Sequence, residues 1–255
     1  MNLSYRIYYV WKRNLIAYKR FILPTLLVSL GEPFFYLIAL GLGLGAYMGM
    51  LQGESYIRFL APGLIIASCM MTATFECLYD SFVRMIHEKI YSSLIVTPIS
   101  AEDVVAGDIV WGVFRGVISG FLMFVIALFL RAIPATPQAI LGFLLLMIVV
   151  GMLFGSLAMI VTAFAPNFDF FNYYTQLVVS PIFFFSGVFF PLDRFPKLIQ
   201  NIALLSPLTH GVTIARAISS GNFYPFLIVN LVAIIVPAAV AFYLAVYFMK
   251  RRLIK

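Results

Sequence analysis

The sequence predicts an all-α membrane protein with six transmembrane helices. An amphipathic interfacial helix precedes them, and short re-entrant helices lie outside between spans 5 and 6. Three observations predict this. Of 255 residues, 63% are hydrophobic and 11% charged, whereas a soluble domain carries about 45–50% and about 25%. That much apolar surface cannot be hidden in one aqueous core, so the solvent is lipid. With 26 Phe and 14 Tyr the composition is also the reverse of a disordered one. Finally, unbroken apolar runs such as 139–164 exceed the alternating strands of about ten residues that build a β-barrel, so the spans are helical.

The first element covers residues 5–22. Arg6, Lys12, Arg13, Lys19 and Arg20 fall on one side at helical spacing, and Ile7, Tyr8, Trp11, Leu15, Tyr18 and Ile22 on the other. Such a helix lies in the membrane interface with its basic face toward lipid headgroups. The apolar run that follows is longer than a signal peptide's, so no cleavable leader is expected. The spans follow at 24–50, interrupted by Glu32-Pro33, and at 59–83, 104–130, 139–165, 173–190 and 224–249. Counting Lys and Arg in the connections places eleven on the side of both termini and five on the other. Both termini are therefore expected in the cytoplasm, and the net charge of +7 is an orientation signal, with no nucleic acid expected as partner.

Two connections exceed a turn. The cytoplasmic one, 84–103, reads as a short helix over 84–96, stopped by Thr97-Pro98 before Ser100 and Asp103 open span 3 as a capping box. The external one, 191–222, is apolar and divided by Pro196 and Pro207. It is too short to cross and return, so two re-entrant or interfacial helices are expected.

Enzyme signatures are missing. No Gly-Lys dipeptide occurs, which excludes a phosphate-binding loop, so this chain does not hydrolyse ATP alone and is expected to bind no cofactor itself. His87 and His210 form no His-x-x-x-His pair, and Cys69 and Cys77 match no metal or redox spacing, so no metal is expected and no catalytic residue is assigned. Ionisable groups at membrane depth are costly and hence candidates for function: Glu32, Glu76, Asp80, Asp108 and Arg115. Glu76 and Asp80 stand one turn apart on span 2, and Arg115 of span 3 is placed to neutralise them. These charges either fix helix packing or contact what the protein moves. Glycines repeat every four residues at 41, 45, 49, at 112, 116, 120 and at 151, 155, for close packing within one subunit or between two. Phe183, Phe184, Phe185, Phe189 and Phe190 cluster after Pro181, as an interfacial belt or as a surface for sugar rings or acyl chains.

Several stretches together resemble a known family: Phe59-Leu-Ala-Pro-Gly-Leu64, Ala73-Thr-Phe-Glu-Cys-Leu-Tyr79, Leu94-Ile-Val-Thr-Pro-Ile-Ser100, Phe185-Ser-Gly-Val-Phe-Phe-Pro191, Ser206-Pro-Leu-Thr-His-Gly-Val212 leading to Arg216, and Lys250-Arg-Arg-Leu253. Their order and spacing resemble the permease subunits of type-2 ABC transporters, within them the NodJ-like branch that exports lipo-oligosaccharide nodulation factors. The resemblance covers nearly the whole chain and implies one transmembrane domain over 1–255. It further implies two permease copies with two copies of a separate ABC ATPase that holds ATP and Mg. The location it implies is a bacterial cytoplasmic (inner) membrane, with an amphiphilic glycan or lipid carried outward. On this reading Arg84, His87, Glu88, Lys89, Tyr91 and Leu94 meet the ATPase, and His210 and Arg216 belong to the outer re-entrant segment. A drug or lipid exporter of the same family, an ion-coupled carrier using Glu32, Glu76 and Asp80, and a membrane-embedded transferase are the alternatives.

Overall fold

The computed structural model describes residues 3–20, 22–48, 50–51 and 53–254. The protein is an all-α membrane protein. Helix α1 (Ile7–Tyr18) leads to α2 (Ile22–Ile38), a wider π-helical turn (Ala39–Leu44) and α3 (Gly45–Met48). A two-stranded antiparallel hairpin follows, β1 (Met50–Leu51) with β2 (Glu54–Ser55), pairing Met50 with Ser55 and Leu51 with Glu54. Gly53, at φ 84°, supplies the left-handed residue of its turn.

Helix α4 (Tyr56–Phe75) is the centre of the molecule. It continues through π turns at Glu76–Asp80 and Val83–His87, so the helical rod runs unbroken from Tyr56 to His87 over 32 residues. Lys89, with φ 54°, ends it, and α5 (Ile90–Ile95) leads to α6 (Ala101–Phe129), α7 (Pro137–Phe164), α8 (Asp169–Tyr174) and α9 (Ser180–Phe185). After a turn at 186–190, α10 (Lys197–Leu205) and α11 (Pro207–Ser220) meet at an 89° bend, and α12 (Leu227–Leu253) closes the chain.

Among the described residues four helices are long and apolar enough to cross a membrane, at Tyr56–His87, Ala101–Phe129, Pro137–Phe164 and Leu227–Leu253, or five if the bent pair counts as one. Spans 2, 3, 4 and 6 of the sequence reading are among these, and the other two differ from expectation. The run 24–50 does not break at Pro33, which stays inside α2; it changes instead to the π turn at Ala39. In a membrane helix the single bond lost at proline is readily made good. The run 173–190 is helical only to Phe185 and holds a π turn at Thr175–Val179. Gly187, at φ 77°, then turns the chain back.

The predicted helix over 84–96 is shorter than expected. Arg84 and His87 belong to the rod that ends at His87, and α5 begins at Ile90. The Ser100 cap forms, its hydroxyl accepting from the Asp103 N–H at 3.1 Å. The Asp103 carboxylate reaches Ser4, accepting from its N–H at 2.8 Å and its hydroxyl at 2.9 Å, which ties α1 to α6.

The repeating glycines seat helices inside this one chain. A Cβ at Gly112 would lie 2.6 Å from Cys77 Sγ, and one at Gly116 2.7 Å from the Cys69 carbonyl. Gly151 and Gly155 face the same two cysteines, which are buried as expected. Gly41 and Gly45 meet Ile57 and Tyr56, and Gly49 lies outside the described residues. Gly107, where a Cβ would sit 2.6 Å from Val10, lets α1 press its buried face (Val10, Asn14, Tyr18) onto α6.

Candidate functional site: a polar cluster, two adjoining cavities and an arginine clamp

Four elements bring their polar side chains to one buried point. Glu76, 3% exposed, accepts through Oε1 from Arg84 Nη1 at 2.9 Å and from Trp111 Nε1 at 2.8 Å. Its Oε2 lies 3.2 Å from Arg115 Nη1. Asp108, 1% exposed, accepts from Asn14 Nδ2 at 2.7 Å, Ser81 Oγ at 2.8 Å and Arg84 Nε at 3.2 Å, and from the Tyr91 hydroxyl. Arg84 thus bridges two buried carboxylates, and Arg115 stacks over the Tyr18 ring at 4.4 Å. Buried charge is tolerated only when it is paired and hydrogen-bonded in this way.

The expected pairing of Arg115 with a span 2 acid is present with Glu76. Asp80 stands at the edge of the cluster, its carboxyl in a hydrogen bond with that of Glu76, and forms no ion pair among the described residues. The sequence reading placed Arg84 with the ATPase-facing residues and missed that it is the central cation. Its position eight residues after Glu76, on the same helical face, was the available signal. Asn14, an amide on the apolar face of α1, was another. Glu32 is in α2, but its side chain lies outside the described residues.

Two spaces meet at this cluster. A polar chamber of about 410 Å³ has Arg13, Asn14, Tyr18, Arg84, Glu88 and Trp111 on its walls. An apolar cavity of about 350 Å³ is walled by Leu64, Ala67, Met71, Phe75, Tyr79 and Phe183. Thr25, Glu76, Asp80 and Arg115 line both, so the charged groups border the two spaces at once. Burial lowers the affinity of Arg13 for its proton.

Helix α5 is tied to the same point. Tyr91 is 1% exposed, and burial first, then the Asp108 carboxylate, pushes its phenol well above its ordinary range and keeps it a donor. Glu88 and Lys89 are exposed, Leu94 is half-buried, and His87 stacks on Phe168 with ring centres 5.4 Å apart. Ser92, Ser93 and Val96 form an exposed face that the sequence reading did not single out.

At the other end Arg216 acts as a clamp. Its guanidinium lies 3.7 Å above the Phe59 ring and donates to the carbonyls of Phe59, Gly187 and Val188. Tyr56 adds a bond to the Phe189 carbonyl at 3.0 Å. The Phe cluster divides in two: Phe183 and Phe189 are buried, with ring centres 5.0 Å apart, whereas Phe184, Phe185 and Phe190 face outward. His210 joins α10, α11 and α12, with Nδ1 2.7 Å from Asn230 Oδ1 and Nε2 3.0 Å from the Leu204 carbonyl.

Comparison with known proteins agrees with this geometry. The family model of the ABC-2 type transporter matches residues 5–220. The chain is 36% identical to nodulation protein J of Rhizobium leguminosarum bv. trifolii, over 96% of this chain and 93% of the relative. It is 34% identical to nodulation protein J of Rhizobium meliloti (strain 1021), over 96% and 92%, and 27% identical to the inner membrane transport permease YadH of Escherichia coli (strain K12), over 92% and 90%. The last of these is by name a transport permease. On a family match over most of its length and relatives above 30% identity over nearly all of it, the chain belongs to the ABC-2 type transporter membrane family, as a multi-pass membrane protein.

Proposed function

We propose that this chain is the membrane subunit of an ATP-driven exporter moving an amphiphile, a lipo-oligosaccharide or lipid-linked glycan, outward across a bacterial cytoplasmic membrane. The two adjoining cavities carry the reading. The polar chamber of about 410 Å³ suits a hydroxyl-rich head, and the adjoining apolar cavity of about 350 Å³ suits an acyl chain. The resemblance of the sequence motifs to exporters of lipo-oligosaccharide nodulation factors favours a glycolipid over a free sugar.

In this proposal helices 22–48 and 169–185 complete six crossings with the four long ones, α10 and α11 re-enter at the outer surface, and both termini are cytoplasmic. Two copies work with two copies of an ABC ATPase that holds ATP and Mg. This chain binds no cofactor and no nucleic acid. Helix α5 seats on the ATPase. Because Tyr91 donates to Asp108, and Asp108 shares Arg84 with Glu76, a displacement of α5 reaches the cleft wall through charge-assisted bonds. ATPase closure shifts the equilibrium between inward-open and outward-open states, and opening outward requires Phe183 and Phe189 to part beneath the Arg216 clamp.

The test is reconstitution of the chain with its ATPase in proteoliposomes, following a fluorescent lipo-chitooligosaccharide. Movement that requires ATP and the ATPase is expected. Movement driven by a proton gradient without the ATPase would overturn the proposal in favour of an ion-coupled carrier, for which Asp80, lacking an ion pair among the described residues, would be the proton site.

A further inference from the structure

One face of α12 bounds a separate cavity of about 470 Å³, lined by Tyr243, Val246, Tyr247, Lys250, Arg251 and Ile254 with Glu102 of α6. Counted from Leu227 at 1.5 Å per residue, Tyr243 lies about 24 Å and Arg251 about 36 Å along the helix. They therefore straddle the level, about 30 Å from the far side, where hydrocarbon gives way to headgroups. Val236, Val240 and Tyr243 are each more than half exposed above it, so an apolar shaft leads into a basic end.

The chemistry of the lining is an excess of donors. The one carboxylate among the described lining residues, Glu102, accepts from Lys250 Nζ at 3.0 Å, which leaves two further ammonium protons. Arg251 lies 4.7 Å over the Tyr247 ring and has no hydrogen bond among the described residues; the same holds for the hydroxyls of Tyr243 and Tyr247. The neighbouring Arg252 turns the other way, donating to the Thr162 carbonyl. Guanidinium, ammonium and two phenols facing one space at a membrane boundary match a phosphodiester oxyanion.

We infer that this face of α12 binds the headgroup of an anionic phospholipid of the leaflet that meets the carboxyl-terminal end, with an acyl chain along Tyr243 and Val240. The inference rests on the membrane reading of α12 and goes beyond transport. The lipid would hold α12 to the start of α6, the helix whose Asp108 receives Tyr91. A protein partner fits less well, because the cavity extends back along the shaft to Tyr243, within the lipid level.

The full chain is placed in phosphatidylcholine nanodiscs with or without phosphatidylglycerol, and retained phosphatidylglycerol is counted by native mass spectrometry. The double variant Lys250→Gln with Arg251→Gln should retain less, by about fivefold per cation lost and on the order of twentyfold for the pair. Lys250→Arg with Arg251→Lys should retain the lipid, as should Arg194→Gln with Lys197→Gln at exposed positions away from this cavity. Equal unfolding temperatures in phosphatidylcholine alone show that the variants are folded. Unchanged retention by the double Gln variant, or equal loss in the Arg194 and Lys197 control, would overturn the site. Displacement of the lipid by soluble glycerol phosphate would assign the donors to a free phosphate and overturn the lipid assignment. Nanodiscs expose both leaflets, so failure here is distinct from failure of the proposed orientation.

Discussion

At the scale of single residues, Arg84 carries more of the buried electrostatics than Arg115. Arg84→Gln strips the shared cation from Glu76 and Asp108 and should cost about 3–5 kcal/mol, read as thermal unfolding in detergent. Arg115→Gln leaves Glu76 with Arg84 and Trp111 and should cost less. The neutral combination Glu76→Gln, Asp108→Asn, Arg84→Gln should recover much of the loss, because no uncompensated charge stays buried. If Arg84→Gln is as stable as the parent, the cluster is not held together by its charges. Tyr91→Phe keeps the buried ring and removes one donor to Asp108. We expect unchanged ATPase copurification with export per ATP reduced several-fold, since a hydrogen bond to a charged group contributes about 1.5–3 kcal/mol. Full coupling in this variant would remove Tyr91 from the transmission path.

At the scale of elements, close approach decides which helices touch. Gly116→Ala places a methyl group 2.7 Å from a backbone carbonyl of α4, which cannot move as a side-chain end can. Overpacking of this kind costs about 1–3 kcal/mol. Gly43, with nothing within 4 Å of its Cβ position, is the matched control, and Gly43→Ala should leave stability unchanged or slightly improved. Equal unfolding temperatures for the two variants would show that α4 and α6 do not meet as described. The four-residue glycine spacing was visible in the sequence, but its partner was not: Gly116 faces Cys69, 47 positions away, and spacing along one helix cannot name the surface opposite. The same holds for Tyr91, which the sequence reading placed among the ATPase-facing residues and the fold turned into a donor to Asp108 by bringing α6 beneath it.

At the scale of the whole molecule, orientation follows from the distribution of basic residues. Single cysteines at Thr97 and Lys197, both exposed, in a background lacking Cys69 and Cys77, should label from opposite sides of intact cells. Labelling of both from outside would reject the proposed topology. The sequence by itself determined the solvent, the helical class, the four long spans and the proline-divided pair after Pro196, because apolar run length and proline position act locally. It determined the family too, through the order of its short motifs. Only the tertiary structure decided that Arg84 sits between Glu76 and Asp108, that Phe183 turns inward while Phe184 turns out, and that Asp80 meets the Glu76 carboxyl without an ion pair of its own among the described residues. Those outcomes depend on π turns and on helices meeting across 20 to 100 positions, as between Arg84 and Asp108 or Asn14 and Asp108. Burial makes a buried charge find whichever partner the fold presents, and the fold is a property of all the helices at once.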